Sequence, residues 1–162
     1  MMLCLHCGAQ RPNRFKSETC PKCGAYLKYI EAPAKGTVIK LQKSGIAVSY
    51  ASAEVYSYAR GTIHTVNINI GLAQYYKAVV FRRLPDGFGY ILPSASEYLY
   101  SMSLEHLLAP TQTYGMLRFE TPCLEHTKAK AMLKLKLKEL DEWVDDAVAD
   151  GWLAICNLGG LL

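Results

Sequence analysis

The sequence predicts an α+β fold on three observations. Two Cys-x-x-Cys pairs open the chain, apolar residues recur at every second position through its middle third, and a late run is rich in Ala, Leu, Met, Lys and Glu. The first marks a metal-held module, the second a sheet with one buried face, the third a long helix. The expected organisation is a metal module over residues 1–31, a linker over 32–36 and an α+β body over 37–162. The body should hold a mainly antiparallel sheet, a mid-chain helix and a long C-terminal helix.

Cys4-Leu5-His6-Cys7-Gly8 and Cys20-Pro21-Lys22-Cys23-Gly24 face each other across twelve residues. Two residues between paired cysteines allow a tight turn that brings both sulfurs to one side, and the glycine after each pair suits a positive φ. Cys4, Cys7, Cys20 and Cys23 therefore read as a four-thiolate zinc site. Four thiolates close the coordination shell, whereas a catalytic zinc keeps a position open, so the ion is expected to be structural. His6, between the first two ligands, is expected to point outward.

These knuckles resemble those of the zinc-ribbon and rubredoxin-like families, over about residues 3 to 31. The resemblance implies a small ribbon with Tyr26 to Ile30 as its third strand. Iron in a rubredoxin-type site is the competing reading, but that family spaces its knuckles more widely. The ribbon together with Lys35-Gly36-Thr37-Val38 is also similar to bacterial and archaeal proteins that couple a zinc ribbon to a small barrel. That resemblance, over the first third of the chain, implies acyl-CoA metabolism or ligand binding.

Apolar residues make up 51% of the 162, enough for a core beyond the ribbon. No long uncharged apolar stretch occurs, so neither a membrane span nor a membrane partner is expected. Met1-Met2-Leu3 leads straight into a metal ligand and is not read as a signal peptide. With only Cys123 and Cys156 outside the knuckles, the cysteines suit a reducing, cytoplasmic setting. The net charge of +4 is concentrated: residues 1–43 carry eight Lys and Arg against Glu18 and Glu31 alone. An anionic partner for the ribbon follows as an expectation.

Between the knuckles, Arg11-Pro12-Asn13-Arg14-Phe15-Lys16 should form an exposed tip. Arg11, Arg14, Lys16 and Lys22 could neutralise phosphates while Phe15 stacks on a base of single-stranded DNA or RNA. The plainer alternative folds Phe15 back onto the module's small core. After the linker, Thr37 to Gln42 and Gly45 to Tyr50 read as a hairpin around Lys43-Ser44. Glu54 to Tyr58 and Thr62 to Ile70 read as a second around Arg60-Gly61. Val66, Ile68 and Ile70 share one face of the last strand; Thr65, Asn67 and Asn69 share the other. Pro85-Asp86-Gly87 is a turn.

Ser94 and Glu97 form a capping box for a helix over about 95–108, closed by Pro110. Thr113 to Glu120 reads as a strand. Thr121-Pro122 supplies an N-cap and first residue for the longest helix, which should end at Ala149 before Gly151. Trp152 to Leu158 reads as a short apolar strand or tail. The long helix carries its lysines first and its carboxylates last, against the helix dipole. Its stripe of Leu133, Leu137, Leu140, Val144 and Val148 should face the core. Met132, Leu135 and Trp143 fall on a second side, buried either within the chain or against an antiparallel copy, giving a homodimer through the 122–149 helix.

Cys123 and His126 lie three apart at the expected start of that helix. They could form an activated thiol pair, or half of a second metal site completed by His64 or His106. A buried apolar cysteine and a solvated histidine are the plainer alternative. No P-loop, G-x-G-x-x-G, nucleophile elbow or H-E-x-x-H occurs, and Asp86 lacks the companions of a nuclease core. The eleven tyrosines read as core edges or as a stacking surface.

The functional expectation is therefore a non-enzymatic regulatory or adaptor protein that contacts nucleic acid through a basic zinc ribbon. The alternatives are a protein-binding inhibitor or assembly factor that uses the α+β body and long helix, and an acyl-ligand binder or enzyme on a barrel.

Overall fold

The computed structural model describes residues 1–11, 19–58, 63–92 and 113–162. The helix expected over 95–108 and the turn Arg60-Gly61 lie outside these residues. What is described is an α+β architecture: a small three-stranded ribbon, a four-stranded antiparallel sheet and helices packed on one face of it.

In the ribbon, β1 (Met2–Leu3) lies between β2 (Gln10–Arg11) and β3 (Lys28–Tyr29), antiparallel to both. Leu3 and Ile30 do not stay within it. Both are fully buried in the main core, while Cys4, Cys20 and Leu27 form a separate small cluster. Ile30 bridges Ala51 in parallel, and the Glu31 amide donates to the Ala51 carbonyl at 2.9 Å. The Glu31 carboxylate in turn accepts from the Ala53 amide at 2.7 Å. The ribbon's exit thus satisfies backbone groups on a sheet edge that would otherwise be open.

Residues 32–36 form a 3-10 turn, Ala32–Ala34, running directly into α1 (Lys35–Lys43). Here the sequence reading needs correction: Thr37 to Gln42 is helical and forms no hairpin. Ala34, Thr37, Val38 and Leu41 are buried at helical spacing. The Lys43-Ser44-Gly45 segment, read as a hairpin turn, is a helix stop. Gly45 takes φ +94°, its amide donates to the Gln42 carbonyl, and the Ile46 amide donates back to Leu41. That pair of bonds is a Schellman motif, with Leu41 and Ile46 both buried beside it.

The sheet runs in the order β4 (Val48–Tyr58), β5 (Ile63–Leu72), β7 (Gly115–Cys123), β6 (Gly89–Ile91). Among the described residues it is open, and its strands do not close into the barrel implied by the second resemblance. The second hairpin pairs as expected, with Tyr58 opposite Ile63 and Ala53 opposite Ile68. Val66, Ile68 and Ile70 are buried, and Thr65, Asn67 and Asn69 are partly exposed on the far face. The Pro85-Asp86-Gly87 turn closes with the Phe88 amide on the Pro85 carbonyl at 3.0 Å and Gly87 at φ +84°.

The long helix, α2 (His126–Ala149), starts four residues later than expected. Thr121, Pro122 and Cys123 extend β7 instead, opposite Val66, Thr65 and His64. Proline is tolerated there because β6 reaches only Arg118, leaving the other side of β7 without a described strand at Pro122. At 1.5 Å per residue the helix is about 36 Å long. Leu137, Leu140 and Val144 face the core as expected, but Val148 is exposed and Trp143 is buried. The Trp143 indole donates to the Arg82 carbonyl at 3.1 Å, so the second side is used largely within the chain.

Gly151, at φ +71°, ends α2, as expected. Trp152 to Leu158 is neither strand nor tail but a further helix, α3 (Trp152–Leu158). Its stop is again a Schellman motif, with Gly160 donating to Asn157 and Leu161 to Cys156.

Gly71 lies on β5 where a Cβ would sit 2.2 Å from the Tyr50 ring and 2.7 Å from Ser49 Oγ. Tyr50 is held by its hydroxyl bond to Met116 Sδ at 3.2 Å. Gly89 has open space around the same position. Gly71→Ala is expected to destabilise the fold by about 1–3 kcal/mol through overpacking, while Gly89→Ala stays within about 0.5 kcal/mol. Urea denaturation of both variants measures the contrast.

Candidate metal centre

Each knuckle is built by the same two backbone bonds. The Gly8 amide donates to the Cys4 carbonyl and the Cys4 amide to Ala9; Gly24 and Cys20 repeat this with Cys20 and Ala25. Gly8 and Gly24 both adopt φ near +75°, at +74° and +75°, a region that other residues enter only at a cost. This turn aims both sulfurs of a pair to one side.

β1 and the Thr19–Tyr26 bridge set the two knuckles face to face. Cys4 and Cys23 sulfurs are 3.5 Å apart, as are those of Cys7 and Cys20, and all four lie within 4.8 Å of one another. A tetrahedron with zinc–sulfur bonds of ~2.3 Å has edges of ~3.8 Å. The sulfurs therefore stand at the spacing one tetrahedral ion requires, and no disulfide joins them. Cys4 and Cys20 are buried while Cys7 and Cys23 reach the surface.

The electrostatics of the cluster call for a cation. Burial alone would raise the Cys20 thiol, but the amides of Lys22 and Cys23 and the thiols of Cys7 and Cys23 bring it down to about 7. The Ala25 amide favours a Cys23 thiolate, yet burial and the three other sulfurs outweigh it and push that thiol up to about 12. Cys7 is raised too, the Ala9 amide and the Cys23 thiol being overcome by burial and by the Cys20 and Cys4 thiols. One thiolate forms readily and resists the next, unless a positive ion sits between them.

Of the residues expected to touch nucleic acid, Arg11 lies exposed on β2 and Lys22 exposed in the second knuckle. Arg14, Phe15 and Lys16 fall outside the described residues. His6 is exposed and takes no part in the sulfur cluster. Tyr26, read only as part of a strand, is 60% exposed beside the second knuckle. An aromatic following a knuckle's Cys-Gly-Ala was the available signal for it. His126 meets His64, their rings 4.9 Å apart, and Cys123 stands opposite His64 in the β5–β7 register with its thiol on the Glu125 carbonyl. His106 lies outside the described residues.

No protein-family model, curated protein or solved structure matches the chain. The geometry of the four sulfurs is thus the evidence for a zinc-knuckle-like module. No helix among the described residues is long and apolar enough to cross a membrane.

Because the ligands must lose protons to bind, metal affinity should fall as pH falls through the range where these thiols titrate. Cys20→Ser is expected to weaken binding of one divalent ion by at least about 100-fold, exceeding the effect of losing an outer-shell partner. Competition with a chromophoric chelator at two pH values checks both.

Proposed function

We propose that the protein is a non-enzymatic adaptor whose zinc-organised ribbon contacts single-stranded nucleic acid. The observation that carries this reading is the exposure of Arg11, Lys22 and Tyr26 on a ribbon whose sulfurs fit one tetrahedral ion. Zinc suits the four-thiolate donor set and has no redox chemistry of its own. Binding of structural zinc is worth about 10–16 kcal/mol in small peptides, more than three buried side chains of the ribbon's own cluster supply. The cations answer phosphates and the tyrosine ring offers a base a stacking face, without reading sequence.

A second basic surface supports the same reading. On α2, Lys128 pairs with Glu125, Lys136 with Glu139 and Lys138 with Glu142. Lys130, Lys134 and Lys138 line a groove of about 320 Å³ together with Leu133, Leu137, Pro33 and one carboxylate, Asp141. Pro33 follows the ribbon's last strand by four residues, so the groove adjoins the module. Fluorescence anisotropy with labelled single-stranded DNA and RNA tests the proposal. Log affinity should fall linearly with log salt, and replacing Arg11 and Lys22 by Gln should flatten the slope by about 1.4. Tyr26→Ala should cost about 1–3 kcal/mol of binding. No binding at low salt rejects the reading.

A second reading, a protein-binding adaptor, is favoured by a separate groove of about 550 Å³ between α1, the end of α2 and α3. Val148, 54% exposed, and Leu162 line it beside Lys43, and Ile155 and Leu158 are exposed on α3. Co-purification from the source cells with the intact chain and with Val148→Asp compares the two. A partner lost only in the variant supports this reading, and identical recovery rejects it.

A further inference from the structure

The cleft between the start of α1 and the first half of α2 has the size and chemistry of a small-molecule site. Pro33, Gly36 and Thr37 line one side, and Leu133 and Leu137 line the other beside Lys130, Lys134 and Lys138. Gly36 leaves the space open, since a Cβ there would meet nothing within 4 Å. At about 320 Å³ the cleft stands at the small end of ligand pockets, which span roughly 300–1,000 Å³. That is room for one small molecule rather than for a docked helix.

Several of its polar groups are unmet within the protein. Among the described residues Lys130 and Lys134 have no ion partner, whereas Lys138 is taken by Glu142 at 3.1 Å. Thr37 is 2% exposed, and its hydroxyl bonds to no described residue. Asp141, which also lines the cleft, has its Oδ1 buried without a donor. Buried polar groups are normally hydrogen-bonded, so these exceptions point to a group that the site receives. The two ends differ in charge. Lys130 and Lys134 make one end cationic, and Asp141 lies about 10.5 Å further along the helix axis than Lys134, at 1.5 Å per residue. Lys40 reaches Asp145, so Thr37, one turn before Lys40, lies toward Asp141, one turn before Asp145.

We propose that this cleft binds one nucleoside phosphate with an amino-bearing base, its phosphate on Lys130 and Lys134 and its base edge at Thr37 and Asp141. Asp141 repels a phosphate from its own end and so fixes the direction of binding. A base amino group supplies the donor that the carboxylate lacks, and the Thr37 hydroxyl can accept or donate beside it. Leu133, Leu137 and Pro33 offer the flat ring apolar contact. Cytosine presents an amino group at that edge. Uracil presents one N–H between two carbonyl oxygens, which a carboxylate repels. Within the nucleic-acid reading, on which the link to a strand rests, the nucleotide is one unit of that strand; a free nucleotide offers the same chemistry.

NMR titration of the zinc-loaded full chain with cytidine monophosphate, uridine monophosphate and inorganic phosphate tests this. Cytidine monophosphate should bind at least about fivefold more tightly than uridine monophosphate, and inorganic phosphate more weakly than either. Lys130→Gln combined with Lys134→Gln should weaken cytidine monophosphate at least about tenfold. Gly36→Leu should abolish its binding by filling the space. Leucine is a better helix former than glycine, and circular dichroism with a native mass spectrum of the bound zinc confirms that this variant folds. A cytidine oligonucleotide whose affinity falls in Gly36→Leu assigns the site to a strand. Cytidine monophosphate binding without strand binding keeps the site and rejects the ribbon reading. Strand binding that ignores Gly36→Leu, with no uptake of the monophosphate, keeps the ribbon reading and overturns the site. Equal affinity for the two nucleotides, or for nucleotide and inorganic phosphate, overturns it as well.

Discussion

Four sulfurs held within a few ångströms of one another constrain everything at the N-terminal end. The knuckle amides favour the first thiolate, at Cys20, and the sulfur neighbours disfavour the next, at Cys23. Only a cation resolves the two tendencies, because it turns mutual repulsion into shared attraction. The backbone has already met most of the cost of arranging the ligands, through the paired turns at Gly8 and Gly24. Among the described residues the ribbon's own buried cluster is small, Cys4, Cys20 and Leu27 with Met2, Ala9 and Ala25 packed on it.

The ribbon is nevertheless continuous with the body. Leu3 and Ile30 are buried in the main core, and Glu31 occupies the edge of β4 with both its amide and its carboxylate. The metal centre is therefore fixed relative to the sheet through short, directed bonds. The exposed side chains of the ribbon and the lysines of the adjoining groove share one frame.

The charge order of α2, which opposes the helix dipole, is largely answered within the chain. Lys40 reaches Asp145, Arg82 reaches Asp150, and Lys136 and Lys138 bridge to carboxylates one turn on. Exposed pairs of this kind contribute about 0–1 kcal/mol each. The helix is instead held by Leu140 and Val144, buried in the main core, and by Trp143 against Phe81, burial worth about 1.5–3 kcal/mol for each large side chain. What remains distinctive is the pair Lys130 and Lys134, one turn apart and lining the groove.

The sequence by itself determined the α+β class, the clustering of Cys4, Cys7, Cys20 and Cys23, the Val66–Ile68–Ile70 face, the Asp86–Gly87 turn and the end of the long helix at Gly151. Each is set by a local rule: ligand spacing, side-chain alternation, or a glycine that alone accepts its φ. It misled at residues 37–42 and 152–158, where short apolar runs fit strand and helix equally. The deciding signals were the stops at Gly45 and Gly160, whose bonds reach back to Leu41 and Cys156. The tertiary structure alone decided that Pro122 lies in a strand and that Trp143 turns inward. It also decided that His64 meets His126, because strand register and packing bring together residues whose separation in the chain carries no information about their distance.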